Sequence, residues 1–141
     1  MVQRGGAAAM PGTVVVVDQE KEFVSELGDI LTEAGYSVFG WIGRDEAVQG
    51  FQTIGRSVDV AIIDFVVPGA SGPELIGAVK SHFPTIRVIA TVPGEGPDLS
   101  ALVARTDADR VMRRPKKGIP FDRLHWTRAV DEMIEGRIQQ P

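Results

Sequence analysis

Apolar residues along this chain fall into two alternating patterns. Thr13-Val14-Val15-Val16-Val17 is an unbroken β-branched run, the mark of a strand covered on both faces. After it, Phe23, Leu27, Ile30, Leu31 and Ala34 recur at helical spacing, and Gly35 stands where a helix C-terminal cap belongs. Tyr36 to Ile42 reads as a second strand, and Ala47, Val48, Phe51 and Ile54 place one apolar face on a helix predicted over Asp45 to Ile54. A third strand, Val60-Ala61-Ile62-Ile63, stops on a carboxylate, Asp64, ahead of the turn residues Pro68-Gly69. Its helix opens on a capping box: Ser71 as N-cap, Glu74 three residues on, and Pro73 in the first turn.

The remainder repeats the alternation. Ile86 to Thr91 is a fourth strand, followed by the Pro- and Gly-rich VPGEGPD and a short helix through Leu99, Leu102 and Val103. Arg110 to Met112 predicts a fifth strand, and Trp126, Val130, Met133 and Ile134 stripe a last helix over Phe121 to Ile134. Trp126 is expected in the core. Five strand–helix units with buried strands imply an α/β fold, a doubly wound parallel sheet with helices on both faces. The expected organisation is a tail over residues 1–11, one domain over 12–136, and a tail or linker start over 137–141.

Composition narrows the chemistry. Without cysteine there is no disulfide, thiolate metal site or thiol nucleophile. A net charge of −4 argues against general affinity for nucleic acid or anionic membrane. Five cations gather at Arg110, Arg113, Arg114, Lys116 and Lys117, but no aromatics interleave them, so they read as a solvated loop. No apolar run approaches a membrane span, and a cytoplasmic location is the expectation. His82 and His125 are isolated and lack partners at metal-ligand spacing.

Open α/β sheets build their sites beyond the carboxyl ends of the strands. The residues there are Asp18, Asp64, Thr91 and Arg114. Singly, each has a plain structural reading, as helix cap, strand terminator, β-former and surface charge. Together they suit a carboxylate that accepts a phosphoryl group, with a divalent ion offsetting the incoming charge and a hydroxyl and a cation holding the phosphoryl oxygens.

With these pieces assembled, VVVVD, AIIDFVVPGASG, VIAT and DADRVMRRP, the chain resembles the response-regulator receiver domain of two-component signalling over about residues 12 to 136. The resemblance implies a flavodoxin-like (βα)5 sheet in strand order 2-1-3-4-5. It implies Asp64 as phosphoacceptor, Thr91 as phosphoryl-binding hydroxyl, and Arg114 at the family's Lys position. Mg²⁺ would be held by Asp18, Asp64 and the backbone carbonyl of Val66, and the Arg114–Pro115 bond is expected to be cis. The implied partners are a histidine kinase or phosphotransfer protein, and an output protein or second copy through the fourth and fifth helices. The module would signal rather than act as an enzyme.

Three residues depart from the family pattern. Gln19 replaces a second acid, so it would serve the metal weakly or through water. Arg114 is a planar fork where the family has a compact ammonium. Val111 has no ring to swing where a switching aromatic is common. These substitutions keep open an alternative, a pseudo-receiver that binds partners without phosphoryl transfer. A haloacid-dehalogenase-like phosphatase fits less well, because its second Asp, two residues after the first, is Glu20 here.

Asp18, Asp64 and Arg114 sum to one negative charge, where three acids and a Lys sum to two. One unit charge at 4 Å is worth about 4 kcal/mol at an effective dielectric of 20, before desolvation. Mg²⁺ affinity is therefore expected to lie below the family norm. Gln19→Asp should tighten Mg²⁺ binding by about tenfold or more in calorimetric titration.

Overall fold

The computed structural model describes residues 12–66 and 72–139. Its elements run β1 (Thr13–Asp18), α1 (Lys21–Glu33), β2 (Ser37–Ile42), α2 (Gly43–Ile54), β3 (Val60–Asp64), α3 (Gly72–His82), β4 (Arg87–Val92), α4 (Ser100–Val103), β5 (Arg110–Arg113) and α5 (Arg123–Gln139), with a 3₁₀ turn at Gly55–Ser57. All strand pairs are parallel, and the order is β2-β1-β3-β4-β5. This is the flavodoxin-like α/β sheet expected. The Pro68-Gly69 turn and the Ser71 cap lie outside the described residues.

Two cores follow from the strand alternation. Val15, Val17, Ala61, Ile63, Val88 and Ala90 face Phe51 of α2 and Leu75, Ile76 and Val79 of α3. On the opposite face Val14, Val16, Val60, Ile62, Ile89 and Met112 meet Phe23, Leu27 and Leu31 of α1 and Trp126, Ala129 and Val130 of α5. Continuous apolar runs were needed because β1, β3 and β4 are covered on both sides. β2 is an edge strand and half exposed, with Phe39 at its outer surface.

Local chemistry sets the element ends. The Glu46 carboxylate accepts the Ile42 N–H at 2.7 Å, so α2 starts two residues before the expected Asp45. Asp122 accepts the His125 N–H at 3.2 Å and starts α5 at Arg123, past Phe121. At the end of α1, Gly35 takes φ 105°, the left-handed conformation a C-terminal cap requires. After the Pro- and Gly-rich loop, α4 is a single turn.

Carboxylates at the amino-terminal edge of the sheet are satisfied by backbone. Asp59 accepts the Thr13 N–H at 2.8 Å. Asp109 accepts the Val88 N–H at 2.8 Å and the Lys80 ammonium at 2.9 Å, tying α3 to β4 and to the residue that precedes β5.

Trp126 is 2% exposed and meets Phe23 and Phe121 edge-on at centroid distances of 6.1 and 5.7 Å. Trp126→Ala should cost about 3–5 kcal/mol, read as a lower urea midpoint by circular dichroism.

Candidate functional site

The parallel register brings the expected residues to one rim. β1 ends at Asp18 and β3 at Asp64, on adjacent strands, and Asp64 pairs across the ladder with Thr91 of β4. Arg114 follows β5, its N–H donating to the Val92 carbonyl at 2.9 Å. Asp18, Asp64 and Thr91 are the buried polar residues of the described chain, each 0% exposed.

Each carboxylate spends one oxygen on the backbone. Asp18 Oδ1 accepts the Glu20 N–H at 2.9 Å, and Asp64 Oδ1 accepts the Val66 N–H at 3.2 Å. Asp18 Oδ2, Asp64 Oδ2 and Thr91 Oγ1 have no hydrogen-bond partner although they are buried. Buried polar atoms are nearly always partnered, so three orphans at adjacent strand ends are the shape of a ligand site.

Arg114 supplies the rim's cation. Its Nη1 lies 3.6 Å from Asp18 Oδ2 and 3.8 Å from Asp64 Oδ2, too long for hydrogen bonds but close enough for ion pairing. Nη2 donates to Glu20 Oε1, and the guanidinium sits over the Phe23 ring, 4.4 Å from its centroid. Its side chain is only 14% exposed. The described residues contain no cis peptide bond, so Arg114–Pro115 is trans, contrary to expectation. From the trans bond the long arginine still reaches both carboxylates.

Burial pushes the Asp18 carboxyl up to about 6, with Asp64 adding to the rise and the Glu20 N–H and Arg114 opposing it. Asp64 is raised for the same first reason, desolvation, and Glu20 adds to it; the Val66 N–H and Arg114 act against it.

The other expected residues lie further out. Gln19 is exposed, and Val66 is 44% exposed beside the phosphoacceptor candidate. Val111 is half-buried against the core on the α2–α3 side. All three arginines in the cationic run are paired with acids: Arg114 as above, Arg110 with Glu132 at 2.6 Å and Arg113 with Asp98 at 3.5 Å. Arg113 also donates to the Pro93 carbonyl at 3.0 Å.

Sequence reasoning missed Glu20 and the second role of Phe23. Glu20 stood out only as the residue standing where a phosphatase would have its second Asp, and Phe23 only as an apolar helix position. Their shared partner is over ninety positions away, so no local signal pointed to it.

Comparison with known proteins decides the family. The family described as response regulator receiver domain matches residues 14–117. The chain belongs to that family. This receiver is 24% identical over 103 residues to a cyclic di-GMP phosphodiesterase of Thermotoga maritima, covering 73% of this chain and 27% of that protein. It is 29% identical over 131 residues to the sensor kinase CckA of Brucella abortus, covering 92% of this chain and 13% of the kinase. The receiver thus spans a minor share of both relatives.

Among solved structures, a receiver domain protein of Clostridium thermocellum superposes with a TM-score of 0.78 at 21% identity, over 90% of this chain and 97% of that one. A CheY-like receiver of Methanospirillum hungatei JF-1 gives 0.76 at 18%, over 94% and 100%. At these identities the likeness speaks for the fold.

Because the folded Asp18 carboxyl titrates near 6 rather than at its ordinary 3.8, ionising it destabilises the folded receiver. Asp18→Asn should therefore stabilise the metal-free protein by about 1–3 kcal/mol at pH 7. That gain should shrink as pH falls through 6 and vanish below about 4, where the aspartate is protonated in both states. Urea titrations in a chelator across this range check the sign.

Proposed function

We propose that this receiver accepts a phosphoryl group on Asp64 from a phosphohistidine of a histidine kinase or phosphotransfer protein, with Mg²⁺. The observation that carries the reading is the set of buried, unpartnered atoms Asp18 Oδ2, Asp64 Oδ2 and Thr91 Oγ1 at adjacent strand ends. One oxygen of the Asp64 carboxylate is the nucleophile, and the other is left for the metal. The nucleophilic oxygen attacks phosphorus, the P–N bond breaks, and the electron pair leaves with the imidazole nitrogen. Thr91 Oγ1 then donates to one phosphoryl oxygen and Arg114 pairs with another.

The donor set fits a hard cation. Asp18 and Asp64 offer free carboxylate oxygens, the Val66 carbonyl would add a third ligand, and Gln19 would reach the ion through water. Among the described residues no three His, Cys, Asp or Glu side chains cluster in ligating geometry. Backbone and water would complete the shell. When bound, Mg²⁺ neutralises charge on the phosphoryl oxygens.

We read the domain, over residues 12–136, as a cytoplasmic signalling module rather than an enzyme. Its output passes to a partner or second copy through α4 and α5. No helix among the described residues is long and apolar enough to cross a membrane. A second reading, the pseudo-receiver, draws on Arg114, which already pairs with both buried carboxylates, and on the exposed Gln19.

Incubation with Mg²⁺ and a small phosphodonor, followed by intact-mass measurement, should give a phosphoryl adduct that Asp64→Asn loses. No adduct, together with no spectral change on adding beryllofluoride and Mg²⁺, would favour the pseudo-receiver.

A further inference from the structure

The rim holds one cation for three acids, and its position is not the one that two buried carboxylates alone would select. Arg114 Nη1 stands 3.6 and 3.8 Å from Asp18 and Asp64, outside hydrogen-bond range, while Nη2 makes its hydrogen bond to Glu20. Glu20 is the solvent-facing acid, its side chain 60% exposed. The Phe23 ring lies against the guanidinium at 4.4 Å, and that ring is itself fixed between Phe121 and Trp126. A planar guanidinium can stack on an aromatic face and bond at its edge at once; an ammonium cannot hold both in fixed geometry.

We propose that Glu20 and Phe23 are positioning residues that hold Arg114 outward, and so set how strongly it competes with Mg²⁺ for Asp18 and Asp64. This rests on the phosphoacceptor reading and adds a control to the same site. A cation cannot approach two carboxylate oxygens closely while a guanidinium nitrogen is paired with both. Glu20 gives Arg114 a partner to keep when it moves off them, and Phe23 gives it a surface to rest on. The buried orphan atoms Asp18 Oδ2 and Asp64 Oδ2 are what the two cations share. Without Glu20 the guanidinium would be held by the buried pair alone and would yield to the metal less readily.

A double-mutant cycle at physiological salt tests this, with Mg²⁺ affinity read by calorimetry in wild type, Glu20→Gln, Arg114→Gln and the double variant. Arg114→Gln should tighten Mg²⁺ about tenfold. Glu20→Gln should weaken it about fivefold when Arg114 is present and change it less than about twofold when Arg114 is absent. An equal or larger effect in the Arg114→Gln background would make Glu20 an ordinary nearby charge and overturn the proposal.

A metal-free readout separates this idea from the reading beneath it. The Arg114 Nη2–H resonance, assigned by its loss in Arg114→Gln, should exchange slowly with water and move upfield over the Phe23 ring. Glu20→Gln should speed that exchange, and Phe23→Leu should remove the upfield shift. If even Arg114→Gln binds no Mg²⁺, the phosphoacceptor reading falls and the resonance alone decides the positioning. A resonance like that of a free arginine would overturn it.

Discussion

Two carboxylates held out of water beside a single guanidinium govern this structure. Removing a carboxylate from water raises the cost of its charge more than any neighbour here offsets, which is why burial is the largest influence on both Asp18 and Asp64. Arg114 compensates in part, from 3.6 and 3.8 Å. At an effective dielectric near 20, each such pairing is worth about 4 kcal/mol before desolvation. One positive charge shared between two negative ones leaves a deficit that a second cation can relieve. The deficit exists because β1 and β3 are neighbours whose carboxyl ends meet where strand order reverses, the place at which doubly wound sheets open a crevice.

The sheet was legible in the sequence for a simple reason. Strands covered on both faces must be apolar throughout, so VVVV and VAII could be read without knowing what covers them. Asp18 and Asp64 were legible as candidates because they end those runs, and a strand end is a position that sequence marks. What escaped notice depends on contacts between distant segments. Nothing near Glu20 announces that an arginine after the fifth strand will reach it, and Phe23 serves the core and the guanidinium with one ring. Element starts shifted where one side chain found a backbone donor, as Glu46 did at the head of α2.

The segment after Thr91 illustrates how far departures from a family pattern reach. A Cβ on Gly94 would fall 2.3 Å from the Arg114 carbonyl oxygen, so the loop lies against the backbone that carries the site's cation. Arg113, one residue earlier, holds the same loop through the Pro93 carbonyl and Asp98. Val111 lacks a ring, and this backbone contact joins Arg114 to the segment that leads from β4 into α4.

The two edges of the sheet treat their carboxylates in opposite ways. At the amino-terminal edge Asp59 and Asp109 are bonded to backbone N–H groups. At the carboxyl-terminal edge Asp18 and Asp64 each keep an oxygen unbonded. The same residue type therefore closes the fold at one end and leaves it chemically open at the other. A substitution at the closed end removes a backbone partner and costs folding. A substitution at the open end, at Gln19 or Arg114 for example, alters instead what the rim can hold.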